Sequence, residues 1–587
     1  MPKLTKEWLG RRYQLLLKEF GITEFSGDAA KKVLIEKSKD EESSIPVILF
    51  ELKKQGFIEA KLDPKDSRKR IYKLKQFQDI LKEDLKKDVL TRSDIYGILK
   101  KAADLIRTRV DYKFILILLF LKRISDKWEL EFKEAYEEAL KDGLSEDEAK
   151  QEAKKAAYHE FDLPEQYLWD NLRKEVNELP EKFSKALRNL AELNPELRDV
   201  LDSAEFIDFT KNIENAEILR QLVELFSEKK LTHVSPDILG DAYEWILKYF
   251  APTKAKEGEV YTPREVIRLL VEILKPKEKE SVYDPACGSS GMLIGAYKYV
   301  EEKQGKQAAN KLFLYGQEQN QKTLALGRMN MYIHDIRDVQ LAQGDTLRYP
   351  KFKEKDNVMQ FDVVIANPPW NQDGYDEKGL AVGEFLKKRF KYGFTPKQSA
   401  DWAWIQHMLA SAKDNGGRVG VVIDNGCLFR GGKEKAIREQ VLKDDLIEAV
   451  ILLPEKLFYN TGAPGAILIF NKNKQEKRKG KVLFINSSEN FEKHPEVRKL
   501  NILAEKNINK IVDAYDNFKE EFNFSKIKTN EELIKEHDSN LNVTLHCPIE
   551  EPEEDIDIEK EFKDLEKIEK EEKEVTNKLR EFLEEVK

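Results

Sequence analysis

The sequence predicts a multidomain α/β protein in which one mostly parallel, doubly wound sheet is flanked by helical regions. Three observations carry that reading. Between about residues 251 and 475, short apolar runs alternate with helical patterns, as strands and crossover helices do. Between about 90 and 250 only helical periodicity is present. The chain has 587 residues, more than one core organises, so several domains are expected.

Composition narrows the class. Hydrophobic residues make up 41% and charged residues 36%, a water-facing globular balance. A net charge of −8 excludes a uniformly basic coat, so any nucleic-acid contact must come from local patches or a partner. Cys287, Cys427 and Cys547 are too widely spaced for a disulfide framework, which points to a reducing cytoplasm. The longest apolar run, Phe114 to Leu121, is too short to cross a bilayer, so no membrane role is expected.

Residues 1–85 read as a separate module. Helical periodicity runs over 4–20, from about 27 with Ala29, Ala30, Val33 and Leu34 on one face, and over 44–55. Two strands then flank a turn at Asp63-Pro64. Three helices and a basic hairpin resemble a winged helix-turn-helix. Lys65, Arg68, Lys69 and Arg70 could hold phosphates, or the hairpin could be a solvated part of a protein-docking module. Residues 90–250 should form a helical domain around a helix apolar on nearly all sides near Phe114–Ile124.

Within 251–475, strands are expected at 281–283, 312–316, 361–366, 418–423, 447–452 and 466–470. The first runs into Tyr283-Asp284-Pro285-Ala286-Cys287-Gly288-Ser289-Ser290-Gly291, which opens a helix. A loop at the carboxyl end of a parallel strand is where such sheets bind ligands, and Gly288 and Gly291 permit close backbone approach. The loop lacks the G-x-G-x-x-G order and alone could serve any nucleotide. Two further strand ends sharpen it: Glu318 could accept ribose hydroxyls and Asp345 an adenine amino group.

Asn367-Pro368-Pro369-Trp370 decides the chemistry. The exocyclic amine of adenine is a poor nucleophile because its lone pair is delocalised. The side-chain oxygen of Asn367 and the carbonyl of Pro368 can accept its two hydrogens and draw the nitrogen towards pyramidal geometry. Two prolines, Pro368 and Pro369, fix φ and pre-position those oxygens. Trp370 offers a flat face for an extruded base. A sulfonium methyl donor needs neither metal nor covalent nucleophile, and the seven histidines show no ligand spacing.

This order, glycine loop before Asn-Pro-Pro-aromatic, resembles the γ-type amino methyltransferases. More narrowly it resembles the modification (M) subunit of type I restriction–modification systems. The likeness is carried by Gly258-Glu259-Val260-Tyr261-Thr262-Pro263-Arg264, Asp284 to Gly288, Asn367 to Trp370, Leu428-Phe429-Arg430-Gly431-Gly432 and Leu457-Phe458-Tyr459-Asn460-Thr461-Gly462. The resemblance implies a Rossmann-like domain dependent on S-adenosyl-L-methionine (AdoMet), acting on adenine N6 of double-stranded DNA. It implies that Glu259, Val260, Tyr261, Thr262, Pro263 and Arg264 line the AdoMet pocket, with Asp284, Gly288, Ser289, Ser290, Gly291, Glu318 and Asp345. It implies two M subunits per specificity (S) subunit, a restriction (R) subunit when assembled, and a helical or coiled-coil carboxyl region, 476–587, docking on the S subunit. Ser290 stands where glycine is common, Trp370 where Phe or Tyr is more frequent, and residues 1–85 are not a usual part of the family. The alternatives are a solitary amino methyltransferase, acting on adenine or on cytosine N4, and a winged-helix regulator with an inactive methylase body.

Overall fold

The computed structural model describes residues 7–21, 23–38, 40–54, 57–63, 66–74, 91–106, 113–174, 178–194, 197, 213–232, 234, 238–243, 245–246, 249, 262–384, 386–458, 464–494, 500–550 and 558–585. The amino-terminal module holds helices Glu7–Phe20, Gly27–Ser38 and Ile45–Lys54 against strands β1 (Glu24–Ser26), β2 (Ile58–Asp63) and β3 (Asp66–Leu74). The strands form an antiparallel sheet in the order β1-β3-β2. Leu16, Leu34, Leu52, Ile58 and Leu74 make its core. The third helix turns Ile45, Ile48, Leu49 and Leu52 inward but leaves Val47 and Phe50 exposed. Lys69 and Arg70 are exposed on β3, whereas Lys65 lies outside the described residues.

The helical region packs Arg92–Ile106, Lys113–Lys141, Leu179–Leu193 and Ile213–Ser227 around one core. The apolar stretch predicted near 114–124 is buried because it is the centre of that core. The charged continuation of its helix ends at Lys141. Gly143 follows at φ 90°, and Ser145 with Glu148 form a capping box for the next helix, Glu146–Ala153. Leu326, Met329 and Ile333 of helix Gln321–Ile333 join the same core, so it is shared with the sheet-bearing region. The Tyr243 hydroxyl donates to the Leu326 carbonyl across that seam at 2.9 Å.

The central sheet has nine strands: β4 (Ser281–Asp284), β5 (Phe313–Glu318), β6 (Val339–Gln343), β7 (Val363–Ala366), β8 (Arg418–Asp424), β9 (Ile447–Leu452), β10 (Gly465–Asn471), β11 (Lys481–Asn486) and β12 (Ser525–Thr529). Their order is β12-β11-β9-β10-β8-β7-β4-β5-β6. Strands β6, β5, β4, β7 and β8 pair in parallel, and β10 runs antiparallel between β8 and β9. Helices cover both faces, which is why β7 and β9 are unbroken runs with every residue buried. The strand order reverses at β4/β7, the crevice where such sheets take ligands.

One expectation is corrected here. The polar composition after Asn471 predicts a helical tail, yet β11 and β12 extend the sheet as far as Thr529. Strand β12 is an edge strand with only Ser525 buried, so it carries no continuous apolar signal. The tail proper is the helix Ile558–Glu585, where Phe562, Leu565, Ile568, Val575 and Leu579 are 53–65% exposed. No helix among the described residues is long and apolar enough to cross a membrane.

Candidate active site

Strand β4 delivers Asp284 to the carboxyl edge of the sheet, where the chain turns through Pro285–Ser290 into helix Gly291–Gln304. The loop is shaped by backbone contacts. Cys287 N–H donates to the Gln317 carbonyl at 3.0 Å and Ser290 N–H to the Cys287 carbonyl at 2.7 Å. Gly288 sits at φ 50°, a conformation that suits glycine. Ser290 caps the helix at φ 66° although it is not glycine, so its place in the loop is reached at a steric cost.

A pocket opens against this loop, lined by Thr262, Ile267, Asp284, Ala286–Ser289, Gly291, Met292, Asn330 and Asn367. Glu318, at the end of β5, is not in the lining but braces the loop. Its two carboxylate oxygens accept from Gly288 N–H at 3.0 Å and Asn320 N–H at 2.8 Å. Asp284 is 1% exposed and receives Ala286 N–H at 2.9 Å. Burial pushes its carboxyl up to about 8, the Ala286 hydrogen bond opposes that, and the charge of Glu318 adds to it. The folded protein therefore favours the protonated carboxyl to a pH well above the usual carboxylate range.

Asn367 stands at the end of β7, facing the same pocket. Its Nδ2 donates to Thr262 Oγ1 at 2.9 Å, and its Oδ1 accepts the indole N–H of Trp370 at 2.9 Å. Pro368 is buried, and Pro369 and Trp370 are half-buried. The Trp370 ring lies 5.0 Å from that of Phe458, edge to face. Gly465 makes room for the pair: a Cβ there would stand 2.8 Å from Phe458 and 3.1 Å from Trp370.

The structure thus gathers Thr262, Asp284, Gly288, Ser289, Gly291 and Asn367 around one pocket, with Glu318 and Ser290 supporting the loop. Pro263 caps helix Arg264–Leu274, and Arg264 turns away to meet Asp241 at 2.8 Å. Asp345 is not in the lining. Its Oδ1 accepts the N–H groups of Leu347 and Arg348 at 3.0 and 3.1 Å, and its Oδ2 the Tyr375 hydroxyl at 2.9 Å. Glu259, Val260 and Tyr261 lie outside the described residues, as do Tyr459–Gly462.

A glycine-loop pocket and an Asn-Pro-Pro-Trp strand end sharing one crevice call for comparison with known proteins. Residues 234–555 match the family model described as N-6 DNA Methylase, and residues 97–226 match the HsdM N-terminal domain. The chain belongs to the N-6 DNA methylase family. The type I restriction enzyme MjaVIII methylase subunit of Methanocaldococcus jannaschii is 44% identical over 588 residues, covering 98% of this chain and 97% of the relative. The MjaVII methylase subunit of the same organism is 43% identical, covering 97% and 96%. Among solved structures, the type I methyltransferase subunit of Streptococcus thermophilus superposes with a TM-score of 0.66 at 27% identity, covering 78% of this chain and 100% of that one. The protein is accordingly an AdoMet-dependent DNA adenine-N6 methyltransferase of the M-subunit type.

Three residues of this N-6 DNA methylase escaped sequence reasoning as site residues. Arg430 is a hub beside the turn that follows Trp370. It donates to Asp401 Oδ2 at 3.0 Å, Asp424 Oδ2 at 2.6 Å, Glu434 Oε1 at 3.2 Å and the side chain of Asn371. Burial works against its charge, yet the surrounding carboxylates hold its pKa above the usual range. Asp401 in turn takes the N–H of Asn371, which follows Trp370 at φ 53°. Arg389 is buried and spends its donors on carbonyls and a ring nitrogen. It grips the carbonyls of Thr346 and Leu347 at 3.2 and 2.7 Å and donates to His407 Nδ1 at 2.9 Å, so burial and that cation hold His407 neutral. Gly327 lies under the glycine loop, where a Cβ would stand 2.9 Å from the Gly288 carbonyl. Only the Leu-Phe-Arg-Gly-Gly motif signalled any of these in the sequence.

Proposed function

We propose that the crevice at the carboxyl ends of β4, β5 and β7 is the methyl-transfer site, and that the chain works as an M subunit alongside a separate DNA-reading S subunit. The observation that carries this is the seating of Asn367. Its carboxamide faces the glycine-loop pocket with Nδ2 turned to Thr262, which leaves Oδ1 with a second lone pair for an incoming amine.

The residues suit AdoMet, whose ammonium and sulfonium are cations and whose ribose bears two hydroxyls. Asp284 is a buried carboxyl able to ionise against such a cation, and the Glu318 oxygens face the loop where a ribose could lie. When bound, AdoMet supplies a methyl group already activated as a sulfonium. Oδ1 of Asn367 and the Pro368 carbonyl orient the adenine amine and draw its hydrogens, and Trp370 provides the stacking face. Both oxygens stay hydrogen-bonded to the N6 cation that transfer forms, and its excess proton is then lost to solvent, since amide oxygens are too weakly basic to keep it.

Two M subunits with one S subunit, joined where a restriction subunit exists, is the assembly this reading favours. The exposed apolar stripe on helix Ile558–Glu585 suits docking on a helical partner, because such a stripe left in water is unfavourable.

The test is expression with and without the S partner in a methylation-deficient host, followed by nucleoside mass spectrometry, with Asn367→Ala as control. N6-methyladenine that requires both the partner and Asn367 supports the proposal. The same product without a partner would make the chain a solitary enzyme, and N4-methylcytosine would overturn the assignment of the base.

A further inference from the structure

Sequence reasoning gave Thr262 to the cofactor pocket, and it does line that pocket, but its hydroxyl is also engaged by a neighbour in the lining. It meets Nδ2 of Asn367 at 2.9 Å, across 105 residues of sequence. Thr262 is held firmly, because Pro263 (φ −57°) follows it and caps helix Arg264–Leu274, whose apolar side is buried. The Asn367 end is equally fixed by β7, all of which is buried.

A carboxamide has two orientations of nearly equal shape and opposite polarity. With Oδ1 towards the base it accepts an amino hydrogen. Turned over, it would present N–H donors to an amine that is itself a donor, and the base could not be held. The indole N–H of Trp370 selects the productive orientation, because it is donor-only and can pair only with Oδ1. The Thr262 hydroxyl, able to donate or accept, does not itself choose; on the other side it accepts from Nδ2 and anchors the orientation that the indole selects. Oδ1 has two lone pairs, so it can keep the indole and still accept from adenine.

We propose that Thr262 is a positioning residue for methyl transfer: by receiving the Nδ2–H of Asn367 it anchors the carboxamide in the orientation that presents Oδ1 to the adenine amine. The proposal rests on the adenine-methylation reading above. It predicts that loss of the Thr262 hydroxyl lowers turnover by more than it weakens cofactor binding, whereas a side chain that acted only on the cofactor would lower both in step.

The experiment compares wild type, Thr262→Val and Thr262→Ser as full-length chains assembled with the S partner. It measures single-turnover methylation, the KM for DNA and the AdoMet dissociation constant. Valine keeps the shape and removes the hydroxyl; serine keeps the hydroxyl. One hydrogen bond contributes about 0.5–1.5 kcal/mol, so the rate of T262V should fall up to about tenfold. AdoMet affinity should fall by clearly less than the rate, and T262S should recover most of the rate. Should T262V not accumulate as folded protein, Thr262→Ala takes its place with the same expectation. The proposal is overturned if T262V keeps full rate, if its AdoMet affinity falls in step with the rate, or if T262S is as impaired as T262V. A wild-type complex that makes no N6-methyladenine would instead refute the underlying reading.

Discussion

Replacing Asp284 by asparagine (D284N) should stabilise the cofactor-free protein and cripple it as an enzyme. The side chain is buried, and its pKa is pushed from 3.8 up to about 8, first by burial and then by Glu318. An acid whose pKa rises on folding binds more protons folded than unfolded between the two values. Stability must therefore fall as pH climbs from about 4 to about 8 and level off above that. At about 1.36 kcal/mol per pH unit, less what is lost to half-titration at the upper end, the interval from pH 6 to 8 removes about 2 kcal/mol. For a domain of about 150–250 residues that is about 4–8 °C in thermal midpoint. The carboxamide of D284N cannot ionise, so the melting midpoints of variant and wild type should meet near pH 4 and diverge in favour of the variant towards pH 8. AdoMet binding carries the complementary signature. If its cation requires the ionised carboxylate, affinity rises up to about tenfold per pH unit below about 8, and calorimetry in buffers of different ionisation enthalpy registers release of close to one proton near pH 7. Equal midpoint shifts at every pH, or an AdoMet affinity flat from pH 6 to 9, would refute the reasoning.

Other perturbations test the framework of the site. Ser290→Gly relieves a left-handed serine and should raise the thermal midpoint by the equivalent of about 1 kcal/mol, with AdoMet affinity unchanged within error by titration. Gly327→Ala would press a methyl group against the Gly288 carbonyl, so AdoMet binding should weaken by about tenfold or more while the circular dichroism spectrum stays native. Arg430→Ala strands the buried carboxylates of Asp401 and Glu434 and should destabilise by about 3 kcal/mol in denaturant unfolding, with Arg430→Lys recovering charge but not the forked geometry. Asn367→Ala removes the acceptor for the amine and should lower the methylation rate by about 10²–10³ while equilibrium dialysis shows AdoMet still bound.

Much of the site was legible because its chemistry is local. Asp284 to Gly291 is one continuous loop on a strand end, and Asn367 to Trp370 is another, so residue order alone puts each group at the carboxyl edge of a predicted strand. The buried central strands were legible for a similar reason. A strand covered on both faces must be apolar almost throughout, as β9 and β10 are, and the predicted spans fell within a residue or two of the observed ones. Edge strands escape this signal. Strand β12 is half solvated and polar, and its pairing with β11 is written in neither periodicity nor composition.

What the sequence by itself determined, then, is a set of candidate reacting groups, their order along the chain and the class of sheet that carries them, because short-range turn chemistry and apolar runs are properties of neighbouring residues. Only the tertiary structure decided the contacts between segments far apart in sequence. It tied Thr262 to Asn367, committed Asp345 to Tyr375, and brought Asp401 and Asn371 to Arg430. It also set the acidity of Asp284. Such contacts depend on which groups are excluded from water together, and that is fixed by how the sheet and its covering helices close over one another.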